Sequence, residues 1–450
     1  MKDIHIKDIR NTRTFPNNGY RYATANVSED AVILTRDYFG ENPLHYWIDA
    51  QHNELIIANN IYDIKKYLEQ NARIFNWERV RAVHNNMQVT IDNSAFQTAS
   101  PKEQEIDLPL QQYDLGQILN QTSDISNTTI TSEKVRALLS NSIEQRLAAI
   151  DDDKIGILLS GGLDSMSIGY LLSRAIKTPN KKLTAKKLTA FTLKVAEDDN
   201  DIVKSRQIAQ HCGIDLVEVK IKTTNDQLEI IVEKYNGART LQYQKTIAEV
   251  TIDKAIKDSL QISGNPKKDN LFCAVAMYLI AKAIETEKIS TVFCGEGPNE
   301  MINDYGYNPR LLGYSTDDKA DIQLREALTF GSKTTDRQLG RGGLAKHATA
   351  RMSKIFAAYN IRLEAPYFKK GIAKILTNIP HEPFTYDTIK QHFIAAMFKG
   401  ENLDSFIEGT AKEKFQDGSG VSRIVAAYTQ ERLISLFEEI YGVRKVGYLK

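Results

Sequence analysis

Ile155-Gly156-Ile157-Leu158-Leu159-Ser160-Gly161-Gly162-Leu163-Asp164-Ser165 passes from apolar strand to glycine turn to helix start within eleven residues. Ile155 to Leu159 read as a buried strand, and Met166 to Ile176 carries helical periodicity. Gly161 and Gly162 allow the backbone to turn tightly with its N–H groups aimed inward. The helix therefore opens directly onto the turn. Its unpaired N–H groups and positive dipole end form an anion site there, and the Ser160 and Ser165 hydroxyls add donors. Asp164 would repel a phosphate, so its expected role is to hold a Mg²⁺ that bridges phosphate oxygens. A bare Ser-Gly-Gly would be no more than a turn with Asp164 as a helix cap. The full Ser-Gly-Gly-Leu-Asp-Ser after an apolar strand reads as a nucleotide-phosphate loop.

Composition bounds what such a loop serves. The chain has 450 residues, enough for two or three domains, and its 58 Lys+Arg against 57 Asp+Glu leave a net charge of +1. That balance gives no bulk attraction to nucleic acid or to an anionic membrane, and a small-molecule or peptide substrate fits better. No Gly-x-x-x-x-Gly-Lys-Ser/Thr string occurs, which removes the kinase-like phosphate loop. Cys212, Cys273 and Cys294 lie in apolar contexts without metal spacing and read as core residues of a protein in a reducing cytoplasm. Met1-Lys2-Asp3-Ile4-His5 is charged and lacks the apolar segment of a secretory signal. The longest apolar run, Leu271 to Ala281, is half a membrane span and reads as a buried helix.

Along the chain, residues 1 to about 95 alternate as strands do, with Ala31 to Leu34, Glu54 to Ala58 and Met87 to Ile91 as strands and Ile61 to Leu68 as a short helix. Residues 96 to about 128 are polar and weakly patterned, as a linker would be. Ser132 to Leu147 is an amphipathic helix whose stripe of Val135, Leu138, Leu139, Ile143 and Leu147 is core. After the glycine loop, strands at Leu188 to Val195, Leu216 to Ile221 and Thr291 to Cys294 alternate with helices at Asp201 to Cys212 and Asp269 to Glu285. This alternation predicts an α/β protein with a parallel sheet and ligands at the carboxyl ends of its strands. Gly295-Glu296-Gly297-Pro298-Asn299-Glu300, at such an end, is expected to form a second wall of the phosphate pocket.

The Ser160 to Ser165 loop resembles the pyrophosphate loop of ATP pyrophosphatases, which cut ATP between its alpha and beta phosphates. Arg36-Asp37-x-x-Gly40-x-x-Pro43-Leu44-x-Tyr46 resembles the Arg-Asp-x-x-Gly-x-x-Pro-Leu-Tyr-Tyr segment of the glutaminase domain of asparagine synthetases, and Ile56 to Ile61 falls where that family has Phe-Ala-Ser-Glu-Ile. The resemblance implies an N-terminal α+β domain of the N-terminal-nucleophile type over 1–125. Residues 126–450 would form an α/β parallel-sheet ATP-pyrophosphatase domain, like the adenine nucleotide alpha hydrolases. The family's glutaminase uses a cysteine after Met removal; Lys2 stands there, so the front domain is expected to be a degenerate scaffold that makes no ammonia from glutamine.

The same resemblance assigns a site. Gly295 and Phe191-Thr192-Leu193 would line the nucleotide together with Ser160, Gly161, Gly162, Leu163, Asp164 and Ser165. Asn299 stands where the family has an Asp metal ligand, so either Glu296 or Glu300 compensates or the metal site is altered; Asp164 and Glu300 are the expected ligands and Glu296 a catalytic carboxylate. Arg351-Met352-Ser353 matches the family's Arg-Met-Ser. Asn360 to Phe368 lies where it has Leu-Glu-x-Arg-x-Pro-Phe, with the two charges exchanged as Arg362 and Glu364. Glu364 is expected to reach the pocket from a shifted place and act on the incoming amine. Lys412-x-x-Phe415-x-Asp417-Gly418-x-Gly420 resembles Lys-x-x-Phe-x-Asp-Gly-Val-Gly, which makes Lys412 the cation that steadies the charge developing during amide formation.

The implied activity is an ATP- and Mg²⁺-dependent amide ligase that adenylates a small-molecule or peptide carboxylate and couples it to an amine. Without a glutaminase, the amine would come from the substrate itself, as in β-lactam synthetases and lasso-peptide cyclases, or from a free amine or ammonia. Macrolactam formation and other biosynthetic chemistry fall within that reach. A homodimer or peptide-processing proteins are the expected partners, with no nucleic acid and no membrane. Two other classes stay open: an RNA-modifying pyrophosphatase acting on tRNA, and a regulatory scaffold that has lost catalysis.

Overall fold

The computed structural model describes residues 3–6, 23–98, 101–105, 128–178, 186–195, 200–303, 335–336, 340–341, 348–379, 394, 398 and 420–443. Its front part contains β1 (Asp3–Ile6), β2 (Ala23–Val27), β3 (Ala31–Arg36), β4 (His45–Asp49), β5 (Glu54–Ala58), β6 (Arg81–Ala82), β7 (Met87–Asp92) and β8 (Lys102–Glu105), with helices α1 (Ile61–Gln70) and α2 (Asn93–Thr98). The strands make two sheets, in the orders β1-β5-β4-β6 and β2-β3-β7-β8. The period-two rule explains how they pack. On β5, Leu55 and Ile57 join Val32, Leu34, Val89 and Ile91 in a core shared by both sheets, while Ile56 and Ala58 point the other way into a second, much larger core. Part of the expected linker belongs to this fold: Lys102 to Glu105 pairs with Thr90 to Met87 as a fourth strand. Its Lys-Glu-Gln-Glu sequence carries no apolar alternation, because this strand adds hydrogen bonds rather than core side chains.

The second part runs α3 (Thr128–Ala148), β9 (Lys154–Leu158), α4 (Leu163–Lys177), β10 (Lys187–Lys194), α5 (Asn200–Cys212), β11 (Asp215–Thr224), β12 (Gln227–Asn236), β13 (Thr240–Thr251), α6 (Ile252–Ser263), α7 (Lys268–Thr286), β14 (Thr291–Phe293), α8 (Pro298–Met301), a two-stranded β15 (Thr335–Asp336) and β16 (Gly340–Arg341), α9 (Ala348–Ala358), β17 (Arg362–Glu364), α10 (Lys370–Thr377), α11 (Val421–Val425) and α12 (Gln430–Tyr441). Seven strands form one sheet in the order β13-β12-β11-β10-β9-β14-β17. The five from β11 to β17 are parallel, as the alternation of strands and helices predicts. The expectation of a parallel sheet is corrected at one side, where β12 and β13 add antiparallel as a long hairpin. Asn225 at φ 56° turns the chain from β11 into β12. Residues from Thr240 to Glu249 on β13 are mostly exposed and polar, so hydropathy gives little sign of a strand there.

The two parts are not independently packed. Phe39 stacks on Phe368 with ring centroids 5.1 Å apart, and Trp77 meets Phe437 at 5.0 Å and Tyr441 at 4.9 Å, which docks α12 against the front sheets. A single contiguous hydrophobic cluster takes in Trp47 and Ile56 of the front part together with β9, β10 and α7. Among the described residues no helix is long and apolar enough to cross a membrane.

At the centre of the sheet, Gly156 lets β14 and β10 close over β9. A Cβ there would stand 2.9 Å from Val292 Cγ2, 3.2 Å from Phe191 Cε2 and 3.5 Å from Ile289 Cγ2. Gly156→Val is therefore expected to lower stability by about 1–3 kcal/mol through overpacking, read as a reduced midpoint with an unchanged slope in urea unfolding.

Candidate functional site

In a parallel sheet, the crevice for a ligand lies where the strand order reverses, beyond the carboxyl ends of the two strands involved. From β9 the chain moves outward to β10 and β11, and it later returns to β14 on the opposite flank of β9. The reversal thus falls between β9 and β14. Both glycine loops singled out from sequence, Ser160 to Ser165 and Gly295 to Glu300, leave those two strands at that end.

Locally the first loop is built from short hydrogen bonds. Gly161 has φ 69°, and Gly162 is the extended residue that precedes the first turn of α4. The Ser160 amide donates to Ser165 Oγ at 3.1 Å, Ser165 Oγ donates to the Gly162 carbonyl at 3.1 Å, and the two serine hydroxyls lie 3.2 Å apart. Ser165 thereby fixes the loop rather than pointing outward. The amides of Gly161, Gly162 and Leu163 donate to no group among the described residues. Together with the α4 dipole they form a donor-lined, anion-attracting cradle. The second loop closes over it: a Cβ on Gly295 would fall 2.5 Å from Ser165 N and 2.6 Å from the Asp164 carbonyl carbon, so only glycine fits. Gly297, at φ 121°, turns the chain into α8, and its own Cβ would strike Phe368 Cε1 at 2.7 Å.

Carboxylates flank the cradle. Asp164 lies in the first turn of α4 and Glu300 in α8, both buried. Glu296, between the two loop glycines, is half-buried, as is Asn299. Hard carboxylate oxygens beside an anion cradle suit Mg²⁺, which usually takes one or two protein carboxylates and completes its shell with water and phosphate oxygens. No group of three or more His, Cys, Asp or Glu side chains arranged for a metal occurs among the described residues. Tyr367, fully buried, lies near Asp164; burial, and then the Asp164 charge, push its hydroxyl well above the ordinary tyrosine range.

A charge network missed from sequence sits beside the same strand ends. Arg146 of α3 donates to Glu41 Oε1 at 3.0 Å, to Glu41 Oε2 at 3.2 Å, to Glu364 Oε2 at 2.5 Å and to the Phe368 carbonyl at 3.3 Å. Burial alone would lower its pKa, but Glu41 and Glu364 outweigh burial and hold the guanidinium above its ordinary value. The other oxygen of Glu364 accepts from Arg362. Lys369 donates to Asn141 Oδ1 at 2.6 Å and is pushed down to about 8 by burial and the Arg146 charge. The signal in the sequence was Arg146 itself: three residues after Ile143 and one before Leu147, it falls on the buried face of α3, where an unpaired charge would be untenable.

Other expectations meet the structure unevenly. Phe191, expected with Thr192 and Leu193 along the nucleotide, has its ring buried against the Gly156 position. Thr192 faces α5, with Oγ1 3.4 Å from Ser205 Oγ, and Leu193 is buried. Glu364 is brought to the strand end next to Cys294, whose amide donates to the Glu364 carbonyl at 2.9 Å. With both carboxylate oxygens engaged, an amine reaching Glu364 would have to displace a guanidinium. Lys412 lies outside the described residues, as do the other residues of its motif before Gly420.

With this geometry in hand, comparison with known proteins gives a consistent picture. Residues 134–262, from α3 through α6, match the family model described as asparagine synthase. The glutamine-hydrolyzing asparagine synthetase of Homo sapiens is 25% identical over 288 residues, 63% of this chain and 43% of that protein. That of Gallus gallus is 24% identical over the same coverage. A probable asparagine synthetase of Acanthamoeba polyphaga mimivirus is 24% identical over 435 residues, 92% of this chain and 65% of the relative. The matched stretch thus spans less than half the length of the vertebrate relatives.

Arg146 generates a direct test. Arg146→Met leaves Glu41 and Glu364 buried without their shared cation, at an expected cost of about 3–5 kcal/mol, measured by chemical denaturation. Exchanging all three charges together (Glu41→Leu, Arg146→Met, Glu364→Leu) should recover most of that loss.

Proposed function

We propose that this asparagine-synthetase-like chain is an ATP-dependent amide ligase of the AMP-forming kind. One observation carries the reading: at the point where the strand order reverses, the amides of Gly161, Gly162 and Leu163 open a helix onto a crevice whose other wall is pressed so close that position 295 admits only glycine. A triphosphate is the substrate group that such a cradle suits. In this reading a carboxylate of a small molecule or peptide attacks the alpha phosphorus of ATP, and the bond to the bridging oxygen breaks. Pyrophosphate departs into the Ser160–Ser165 cradle, leaving an acyl-adenylate. An amine then attacks the acyl carbon, gives up a proton, and AMP leaves as the C–N bond closes. Asp164 and Glu300 would hold the Mg²⁺, which would supply charge neutralisation for the phosphates. Glu296, on the loop itself, is assigned the amine's proton. Lys412 is assigned the developing oxyanion. Glu364 is assigned, through Arg146, to shaping the strand ends rather than to proton transfer.

We take the amine to arrive without glutamine hydrolysis. Residues 1–125 contain no cysteine, and the Arg36-Asp37 turn is committed to structure: Arg36 binds the Val83 and Gly40 carbonyls at 3.0 and 2.8 Å, and Asp37 accepts from the Phe39 and Glu41 amides at 3.1 Å each. The amine is then a free amine, ammonia or a second group of the same substrate, as macrolactam formation requires. A scaffold that has lost amide formation is the second reading, favoured by the engagement of both Glu364 oxygens.

Carboxylate-dependent exchange of labelled pyrophosphate into ATP tests this. Wild-type protein given a panel of amino acids and peptides should exchange with at least one acid. Asp164→Ala should lower that rate by about 10²–10³-fold, the scale for losing a group that stabilises charge in a reaction. Lys412→Ala should keep exchange and lose amide product. Absence of exchange with every acid, while ATP still binds, would favour the scaffold.

A further inference from the structure

At the seam between the two parts, away from the glycine loops, three basic side chains are buried together: Arg36 at the end of β3, His45 at the start of β4 and Lys354 on α9, with 1%, 2% and 5% of their surfaces exposed. Arg36 binds two carbonyls through its terminal nitrogens, but its buried Nε has no acceptor. Neither ring nitrogen of His45 has a partner. Lys354 Nζ makes a single long bond, 3.3 Å, to the Ser263 carbonyl. Gly264 offers no side chain toward that ammonium; a Cβ there would still be 3.9 Å from it.

The nearby carboxylates are engaged elsewhere. Asp37 attracts Arg36 but uses its oxygens on the Phe39, Glu41 and Asn42 amides. Glu41, whose carbonyl accepts from Ser353 next to Lys354, turns its carboxylate to Arg146. Among the described residues no carboxylate forms an ion pair with Lys354. Burial, and then the Lys354, Arg36 and His84 charges, hold the His45 ring well below its ordinary range and so neutral, and burial together with the Arg36 charge pushes Lys354 down to about 7. Buried waters would satisfy the idle nitrogens, yet water would leave the ammonium that Lys354 carries below about 7 without a counter-charge.

We propose that Arg36 Nε, the His45 ring and Lys354 Nζ line a buried site for one small monovalent anion, a halide or a formate-sized carboxylate, at the junction of the front sheets with α9. The ligand accepts from donors of both parts, so its binding ties them together and takes up a proton on Lys354. This inference does not depend on the proposed ligase activity, because it concerns a site built from different residues.

Two measurements on the full chain test it. Crystals grown with bromide as the sole halide should show an anomalous peak within hydrogen-bond distance of Lys354 Nζ and a His45 nitrogen; density there without anomalous signal would mean water and would overturn the proposal. In solution, at constant ionic strength balanced with gluconate, the thermal midpoint should rise by about 2 °C for each tenfold increase in chloride above its dissociation constant. A formate series separates the carboxylate arm from the halide arm. Lys354→Met should abolish the rise, whereas Lys245→Met, at an exposed position, should retain it. An equal rise in both variants would identify a general salt effect and overturn the site. Should Lys354→Met fail to fold, the bromide experiment on wild-type protein decides alone.

Discussion

The fold turns on a guanidinium that has no access to water. Arg146 is 4% exposed, yet it is held charged because Glu41 and Glu364 approach it from opposite parts of the chain. Removing a cation from water costs several kcal/mol, and only close, hydrogen-bonded counter-charges offset that. The three residues stand on α3, the turn after β3 and the end of β17, so satisfying one side chain fixes the mutual position of three elements. Ser142, one turn earlier on the same helix face, adds a 2.8 Å bond to the Pro366 carbonyl. Hydrophobic contacts gather these elements; the charges specify their register.

That register places the glycine-loop cradle. β17 hydrogen-bonds to β14, and the loop leaving β14 presses Gly295 onto the start of α4. Phe368, four residues beyond Glu364, fills the space beside Gly297 and stacks on Phe39 from the front sheets. The front part thus reaches the neighbourhood of the site through packing and through Glu41, without contributing to the cradle itself. The charges at 362 and 364 make sense in this setting. A glutamate at the end of β17 meets Arg146 and Arg362, and a glutamate at 41 completes the partnership from the other side.

Much of this was legible in the linear chain because local patterns report local chemistry. The strand-glycine-helix junction at Ile155 to Ser165, the alternation at Glu54 to Ala58 and the apolar stripe from Val135 to Leu147 each carry their own period, and each forms the element expected. What escaped depends on distant partners. β8 and β13 are polar strands held by ladder bonds to neighbours, so hydropathy is silent about them. The Phe191 ring packs into the core over the space left at Gly156, one strand away, a contact that only the paired strands reveal. Arg146 was visible as a charge on an apolar face, but its partners lie 105 and 218 residues away.

The aromatic seam has a consequence for how the polypeptide is made. Trp77 sits in the front part, but the rings that enclose it, Phe437 and Tyr441, are synthesised much later along the chain. At about 5–20 residues per second, roughly 20–70 s separate the synthesis of the indole from that of its cover. During that interval an apolar surface that the native state hides stays open to chaperones and to other nascent chains, which makes translation speed, as well as sequence, a determinant of yield.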